Sequence, residues 1–298
     1  MKRVLKWVGF IVFDLVLLVA VIVGVAYSKS NAAMARKITM ADAQVAIDGS
    51  AEQVERGHHL ASTRGCLDCH GPDLGGHTLI DAAPIGRIVG PNLTPGGLGP
   101  QLTAVSIEHA VCHGVSHDKR PLVFMPSPDW AQLSDEDVAA IAAYVKSVPA
   151  VATQPPALTV GPLARVLWLF DNFPLLPADS IPHDVVSHSA PPKAATAEYG
   201  KYVMNMCVTC HGAGFSGGHV PGTPPDFKDA ANITRDPTGL ANWTADDFKK
   251  ALRTGKRPDG SAIDEFMPWK ALAQLDDVEI EAMWAYLQTV PARPRGTR

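Results

Sequence analysis

Two short stretches limit what this chain can become. Cys66-Leu67-Asp68-Cys69-His70 is echoed by Cys207-Val208-Thr209-Cys210-His211. A C-x-x-C-H run is the pattern that attaches a c-type haem: two thiols add to the porphyrin vinyl groups and the adjacent imidazole binds iron. All three groups must reach one rigid macrocycle, so its size fixes the spacing. A zinc half-site or a dithiol redox pair also uses C-x-x-C. Neither needs a His directly after the second Cys, and here it follows twice. The expected cofactors are two covalently bound haem c groups with their iron. Cys66, Cys69, Cys207 and Cys210 would hold them, with His70 and His211 as axial ligands. Thioether attachment is a chemistry of exported bacterial proteins, which puts the haems outside the cytoplasm. Four of the five Cys are used in this way, and Cys112 is left over, so no disulfide framework remains.

The N-terminus fits export. Lys2, Arg3 and Lys6 precede an apolar run over residues 7–27, long enough at ~1.5 Å per residue to cross a hydrocarbon layer of ~30 Å. Trp7 and Tyr27 stand at its ends, where amphipathic aromatics favour the interface. Asp14 interrupts the run at a cost of ~3 kcal/mol, against about fourteen Val, Leu, Ile and Phe gaining ~0.3–0.6 each, so insertion is still favoured. The basic leader orients the rest of the chain outward. Residues 1–30 read as an uncleaved single-pass anchor in the bacterial inner membrane, with the haem domains in the periplasm. The alternative is a signal peptide cut near Ala33-Met34-Ala35, which would leave a soluble periplasmic protein. A net charge of −4 speaks against nucleic acid as a partner.

The 298 residues suggest about two domains, and internal repetition says which. His70 and His211 differ by 141 positions. Asn92-Leu93-Thr94 recurs as Asn232-Ile233-Thr234, Met125-Pro126 as Met267-Pro268, and residues 133–149 as 275–291. Offsets that drift by a residue or two mean two copies of one fold. Each begins with a helical segment, carrying Gly57 and Leu60 or Gly200 and Val203. Each ends with a helix whose start is marked by Ser134 with Asp137, or Asp276 with Glu279. Val138, Ile141, Tyr144, Val145 and Val148 share one face, as do Ile280, Met283, Tyr286, Leu287 and Val290. Pro149 and Pro291 close these helices. Middle helices are expected near residues 103–114 and 244–255, Thr244 with Asp247 forming a cap and Gly114 and Gly255 acting as stops. No strand is apparent. The divisions are 1–30 anchor, 50–150 first domain, 151–195 Pro-rich linker and 196–298 second domain.

The sixth iron ligand separates electron transfer from catalysis. Met125 is the sole Met between His70 and Pro149. Met267 aligns with it and shares the Met-Pro context, whereas Met283 falls on the apolar helix face and reads as core. A Met is ordinarily filler, but the repeat makes Met125 and Met267 the metal ligands opposite His70 and His211. A carbonyl from the loop after each motif is expected to accept from the free nitrogen of each His.

Other residues invite function more weakly. His109, Cys112, His113 and His117 crowd one segment and could hold a metal, but the second copy has Lys249, Arg253, Thr254 and Arg257 there, so the fold does not need them. Cys112 reads as a small buried side chain. His77 and His219 are expected in loops near the haem edge. Asn92 and Asn232 match a glycosylation triplet, yet their recurrence points to a turn. The linker carries Val166, Leu167, Trp168, Leu169 and Phe170, then Leu175 and Leu176, too apolar for a free tether. It is read as packing between the haem domains and fixing their angle; contact with the membrane or a partner subunit is the alternative.

Together these features resemble a membrane-anchored dihaem cytochrome c with two class I domains. The second half is similar to the cytochrome c subunits of periplasmic alcohol and aldehyde dehydrogenases. The likeness rests on Cys207-Val208-Thr209-Cys210-His211, Asn232-Ile233-Thr234, Asn242-Trp243-Thr244, Leu252-Arg253-Thr254-Gly255, Arg257-Pro258-Asp259-Gly260 and Met267-Pro268. It implies an all-α fold in which first and last helices cross near Gly57 and Gly200. Those subunits usually carry three haem motifs, and this chain has two. Cys112 and His113 stand where the second copy has Arg253-Thr254, so the haem surroundings should differ. The implied function is electron transfer without catalysis. The donor would be a dehydrogenase or quinol-oxidising complex, and the acceptor a terminal oxidase or soluble cytochrome. The rivals are a dihaem peroxidase, which would need an open iron, and a haem-based sensor or structural subunit.

Overall fold

A computed structural model describes residues 2–184 and 187–298. Helix α1 (Lys2–Ala35) extends the apolar run by two turns and exposes nearly all of its Val, Leu, Ile and Phe. By length and composition it can cross a membrane. Its exit is tied down. Arg36 pairs with Asp179, Lys37 bonds the Asp118 carbonyl, and the Ile38 amide donates to Lys119 O at 2.9 Å.

The first domain runs α2 (Ala51–Thr63), α3 (Cys66–His70), β1 (His77–Ala82), β2 (Gly86–Gly90), α4 (Ala104–His113) and α5 (Asp135–Ser147). The linker adds β3 (Thr159–Val160) and α6 (Pro162–Leu169). The second domain comprises α7 (Ala197–Val203), α8 (Val208–His211), α9 (Ala245–Thr254), α10 (Trp269–Leu272) and α11 (Asp277–Leu287). The fold is mostly helical, as expected, and its helix ends follow the local chemistry. Ser134, Thr244 and Asp276 cap α5, α9 and α11 through side-chain oxygens accepting from backbone amides three residues on. Gly114 and Gly255 end α4 and α9 in the left-handed region, at φ 65° and 66°. The prolines act at a distance. Val148 is extended because Pro149 follows it, whereas α11 stops at Leu287, four positions before Pro291, and a turn fills the gap.

In each domain the first and last helices cross at a glycine. A Cβ on Gly57 would lie 1.9 Å from the Ala140 carbonyl oxygen, and one on Gly200 would lie 1.9 Å from that of Ala282. Only glycine permits such an approach. Around the first crossing Leu60, Ile107, Val111, Trp130, Val138 and Ile141 form a core. Around the second Val203, Phe248, Leu252, Ile280, Met283 and Leu287 do so.

Two expectations are corrected. First, strands exist: β1, β2 and β3 form an antiparallel sheet in that order, with His77 opposite Gly90 and Gly86 opposite Val160. Thr78, Ile80, Ile88 and Val89 favour extended chain. However, the runs are short, lack clean alternation and draw their third strand from some seventy residues downstream, so no local signal marks them. Second, α6 does not fill the domain junction. It packs against α1; the second apolar stretch does lie between the domains, with Leu175 and Leu176 buried, Leu175 O accepting from Phe124 N at 3.0 Å and Pro174 Cδ 3.0 Å from where a Cβ on Gly222 would sit.

The two domains also meet directly, through related contacts. His59 on α2 lies 2.8 Å from Glu279 Oε2 at the start of α11. Its positional equivalent in the repeat, Tyr202 on α7, donates to Asp137 at the start of α5. Each domain's first helix thus grips the acidic first turn of the other's last helix, a pseudo-two-fold arrangement. Buried Arg64 adds a charge 3.7 Å from Glu279 Oε1.

Candidate functional site

The first C-x-x-C-H stretch folds as the short helix α3, and the second as α8 with Cys207 ending the 3-10 turn before it; Gly71 (φ 84°) and Gly212 (φ 79°) turn the chain sharply at their ends. These tight turns return the chain over each motif. In the first domain β2 comes so close that a Cβ on Gly90 would sit 1.9 Å from Cys69 O. The His side chains are oriented from behind. His70 Nδ1 donates to Pro91 O at 3.0 Å, and His211 Nδ1 to Ala231 O at 2.8 Å. These are the loop carbonyls that the sequence could foresee but not name. A donor at Nδ1 fixes the tautomer and leaves the Nε2 lone pair for a metal. Burial lowers the pKa of both imidazoles, against a smaller upward pull from those hydrogen bonds, so both are neutral at pH 7, the form that ligates iron.

The four motif thiols are half-buried and free of disulfides. Burial, reinforced by the neighbouring cysteine, pushes Cys66 up to about 12 and, against the pull of Arg64, Cys207 likewise to about 12. Burial and Asp68 push Cys69 up to about 11. A dithiol redox pair works through accessible thiolate at neutral pH, which the upward shifts at Cys66, Cys69 and Cys207 oppose. Half-buried thiols flanked by a neutral, oriented imidazole suit covalent haem c.

Met125 and Met267 are each partly buried against their domain's core. Each is followed by a proline of the same conformation, φ −78°, ψ 49° at Pro126 and φ −75°, ψ 51° at Pro268. In both loops the amide two residues on closes back onto the Met carbonyl, at 2.8 Å for Ser127 and 2.7 Å for Trp269. The repeat is therefore one of geometry as well as of sequence. Ser127 Oγ, donating to Ala110 O at 2.7 Å, ties the first loop to α4. In the second domain Arg253 ties α9 to the carbonyls of Ala273 and Leu275. Cys112 takes that place in the first domain and is buried.

Asn92 and Asn232 are buried turn residues. Their Oδ1 atoms accept from the amide and hydroxyl of Thr94 or Thr234, and their Nδ2 atoms donate to Val151 O and Arg293 O, both at 2.8 Å. They clamp the chain leaving each last helix onto the loop that carries the His acceptor. His77 opens β1, and both it and His219 are exposed. His109 and His113 are buried and share Glu108: His109 Nε2 is 3.8 Å from one of its carboxylate oxygens and His113 Nε2 is 3.3 Å from the other. His109 Nε2 is also 3.5 Å from Asp42, and His113 Nδ1 is 3.2 Å from His183 Nδ1. His117 is exposed, and among the described residues His109, Cys112, His113 and His117 do not gather as a three-ligand cluster.

Sequence reading missed how the sites are joined. Asn205 and Thr209, either side of Cys207, bond the carbonyl and carboxylate of Asp129, four residues after Met125. The second attachment motif therefore sits on the first domain's Met loop. Arg298 donates to Thr209 O, Cys210 O and His219 O at 2.8–3.0 Å, holding the same motif from the other side. Neither Asp129 nor Arg298 carries a local signal.

The model of the cytochrome c family matches residues 54–149 and 197–291. Among curated relatives, the cytochrome c subunit of the quinone alcohol dehydrogenase of Gluconobacter oxydans is 28% identical over 277 residues, which cover 84% of this chain and 57% of that protein. The cytochrome c subunit of gluconate 2-dehydrogenase of Pantoea cypripedii is 28% identical over 267 residues, covering 80% of this chain and 60% of the relative. A dihaem c-type cytochrome of Cereibacter sphaeroides is 27% identical over 274 residues, covering 82% of this chain and 88% of the relative. The chain thus spans less than two thirds of the two dehydrogenase subunits.

Proposed function

The chain belongs to the cytochrome c family, and from that premise we propose that it is a membrane-anchored dihaem carrier passing electrons from a dehydrogenase or quinol-oxidising complex to a terminal oxidase or soluble cytochrome. Haem c, when bound, supplies a one-electron ferric–ferrous couple. The residues hold it still. Cys66, Cys69, Cys207 and Cys210 would form the thioether links, and His70 and His211 would bind iron through Nε2, with Pro91 and Ala231 keeping their rings from turning. Met125 and Met267 would supply thioether ligands, which favour the ferrous state and raise the potential.

The observation that carries this reading is the equivalence of the two Met loops, backbone for backbone. With Met at both irons, neither centre would offer a vacant position to peroxide or a diatomic ligand, which favours the carrier reading over the peroxidase and sensor readings. The contact of Thr209 and Asn205 with Asp129 holds the two centres as one unit, so no diffusive domain encounter limits exchange between them. Domain limits of 50–150 and 196–298, with residues 151–195 as linker, fit this arrangement. Helix α1 as an uncleaved inner-membrane anchor keeps both centres in the periplasm near membrane-bound partners, raising their effective concentration.

A spectroelectrochemical titration of the holoprotein tests the proposal. Two haem equivalents, each with the far-red band of ferric Met-ligated haem and a high-potential wave, are expected. A centre without that band which binds cyanide readily would defeat the carrier reading at that site.

A further inference from the structure

The apolar face of α6 is unexplained by electron transfer. Leu163, Val166, Leu167 and Phe170 follow i, i+3, i+4, i+7 spacing and form one stripe. A surface helix normally turns such a stripe to the core. Here Leu163 and Phe170 at its ends are 39% and 58% exposed, and Val166 and Leu167 are only half-buried. The buried side of α6 is instead Ala164 and Arg165, which face α1. The Arg165 guanidinium stacks over the Tyr27 ring at 4.3 Å, donates to Asn31 Oδ1 at 2.8 Å and bonds the Ser30 hydroxyl. Arg165 is the single charged residue between Pro162 and Phe170, and these partners occupy it.

Those partners fix the height of α6. Tyr27 ends the apolar run, and Ser30 and Asn31 lie three and four residues farther, or ~5–6 Å along the helix axis. The headgroup layer is roughly 5–7 Å deep on each side. Helix α6 therefore stands beside the anchor at the level where hydrocarbon gives way to water, with its exposed stripe on the side away from Arg165.

We infer that α6 is an interfacial membrane helix whose Leu163–Phe170 stripe lies in the lipid headgroup and upper acyl region. It gives the chain a second membrane contact that sets the height and tilt of the haem domains. The inference rests on α1 being an uncleaved anchor.

The test uses the full-length holoprotein in vesicles of phosphatidylethanolamine and phosphatidylglycerol, with nitroxide labels at Phe170→Cys, Val16→Cys and Lys250→Cys. Cys112 is buried and the four motif cysteines are in thioether linkage, so the introduced thiol takes the label. Val16 lies mid-α1, and Lys250 is exposed on α9 of the second domain. Accessibility to oxygen relative to a water-soluble nickel chelate is expected to be several-fold higher at position 170 than at 250, and higher still at 16. A lipid-like position 16 with a water-like position 170 would overturn the inference while leaving the anchor intact. An immobilised label at 170 shielded from both reagents would overturn it in favour of a protein partner or self-association. A water-like label at 16 as well would mean that the anchor reading had failed, and the inference with it.

Discussion

Replacing Gly57 by Ala tests whether close helix crossing or helix propensity dominates at the centre of the first domain. Propensity favours Ala in a helix by about 1 kcal/mol. The crossing opposes it. The new Cβ would lie 1.9 Å from Ala140 O, 2.5 Å from its carbonyl carbon and 2.8 Å from Tyr144 Cβ. A tolerable carbon–oxygen contact needs about 3.3 Å, so α2 and α5 must part by roughly 1.4 Å. The obstructing atoms are backbone, and no side-chain rotation relieves them. Even a 0.5–1 Å gap forfeits about a quarter to a half of a dispersion contact, and overpacking costs ~3 kcal/mol at the upper end of its usual range. The net effect is a destabilisation of about 2 kcal/mol, or a fall in Tm of about 8–16 °C for a domain of ~100 residues. Thermal unfolding of the holoprotein, followed by circular dichroism and the haem absorption bands, measures it. Gly200→Ala, facing Ala282 O at the same 1.9 Å, should depress the second domain's transition instead, and the double variant should lower both, nearly additively. A Gly57→Ala protein as stable as its parent would refute the reasoning.

Met267→Ala should abolish the far-red ferric band of the second centre alone and lower its midpoint by on the order of 0.1 V, within the ~0.8 V that axial ligands span; a redox titration reads both. Glu279→Gln leaves buried Arg64 without its countercharge and should cost about 3 kcal/mol, seen as faster proteolysis at the domain junction, with Arg64→Leu in the same chain recovering part of the loss. Burial would raise the Glu279 carboxyl, but the His59 hydrogen bond and the Arg64 charge outweigh it and hold it below its ordinary value. Its contribution is therefore present above the ordinary carboxylate pKa of ~4.3 and is lost as pH falls through the depressed value. Asp129 has the opposite sign. Burial, against the Thr209 hydrogen bond, lifts it to about 6, so its contribution is full below its ordinary ~3.9 and is lost as pH rises through about 6. Thermal unfolding of the holoprotein should report this as a lower Tm at pH 7 than at pH 5, with the domains still joined through Glu279 and Asp137, and Asp129→Asn should remove that contribution.

Much of the site could be read from the chain because haem chemistry acts over short sequence distances. Two thiols and an imidazole must meet one ring, which confines them to five residues. The Met-Pro pairs were found because repetition doubled a signal that a lone Met could not carry. The sheet was missed because β3 joins from the linker, and its extended residues look like any short apolar run. Of the linker's two apolar stretches, residues 174–177 lie against both domains as expected, whereas residues 164–170 pack against α1 instead. Periodicity reveals that a face is apolar, whereas what covers it depends on where α1 leaves the first domain.

The sequence by itself determined the cofactor and the helix caps, which follow from bonding geometry or backbone conformation within a few residues, and the twofold repetition, which is legible by comparing the two halves; the glycines at the crossings came only with the family resemblance. Tertiary structure alone decided that Pro91 and Ala231 hold the imidazoles, that Asp129 joins the two sites, that His59 and Tyr202 play matching parts across the junction, and that α6 lies against α1. These contacts join positions from about twenty to more than two hundred residues apart in the chain. No local rule spans such separations, because they are set by which packed surfaces meet after the helices have formed.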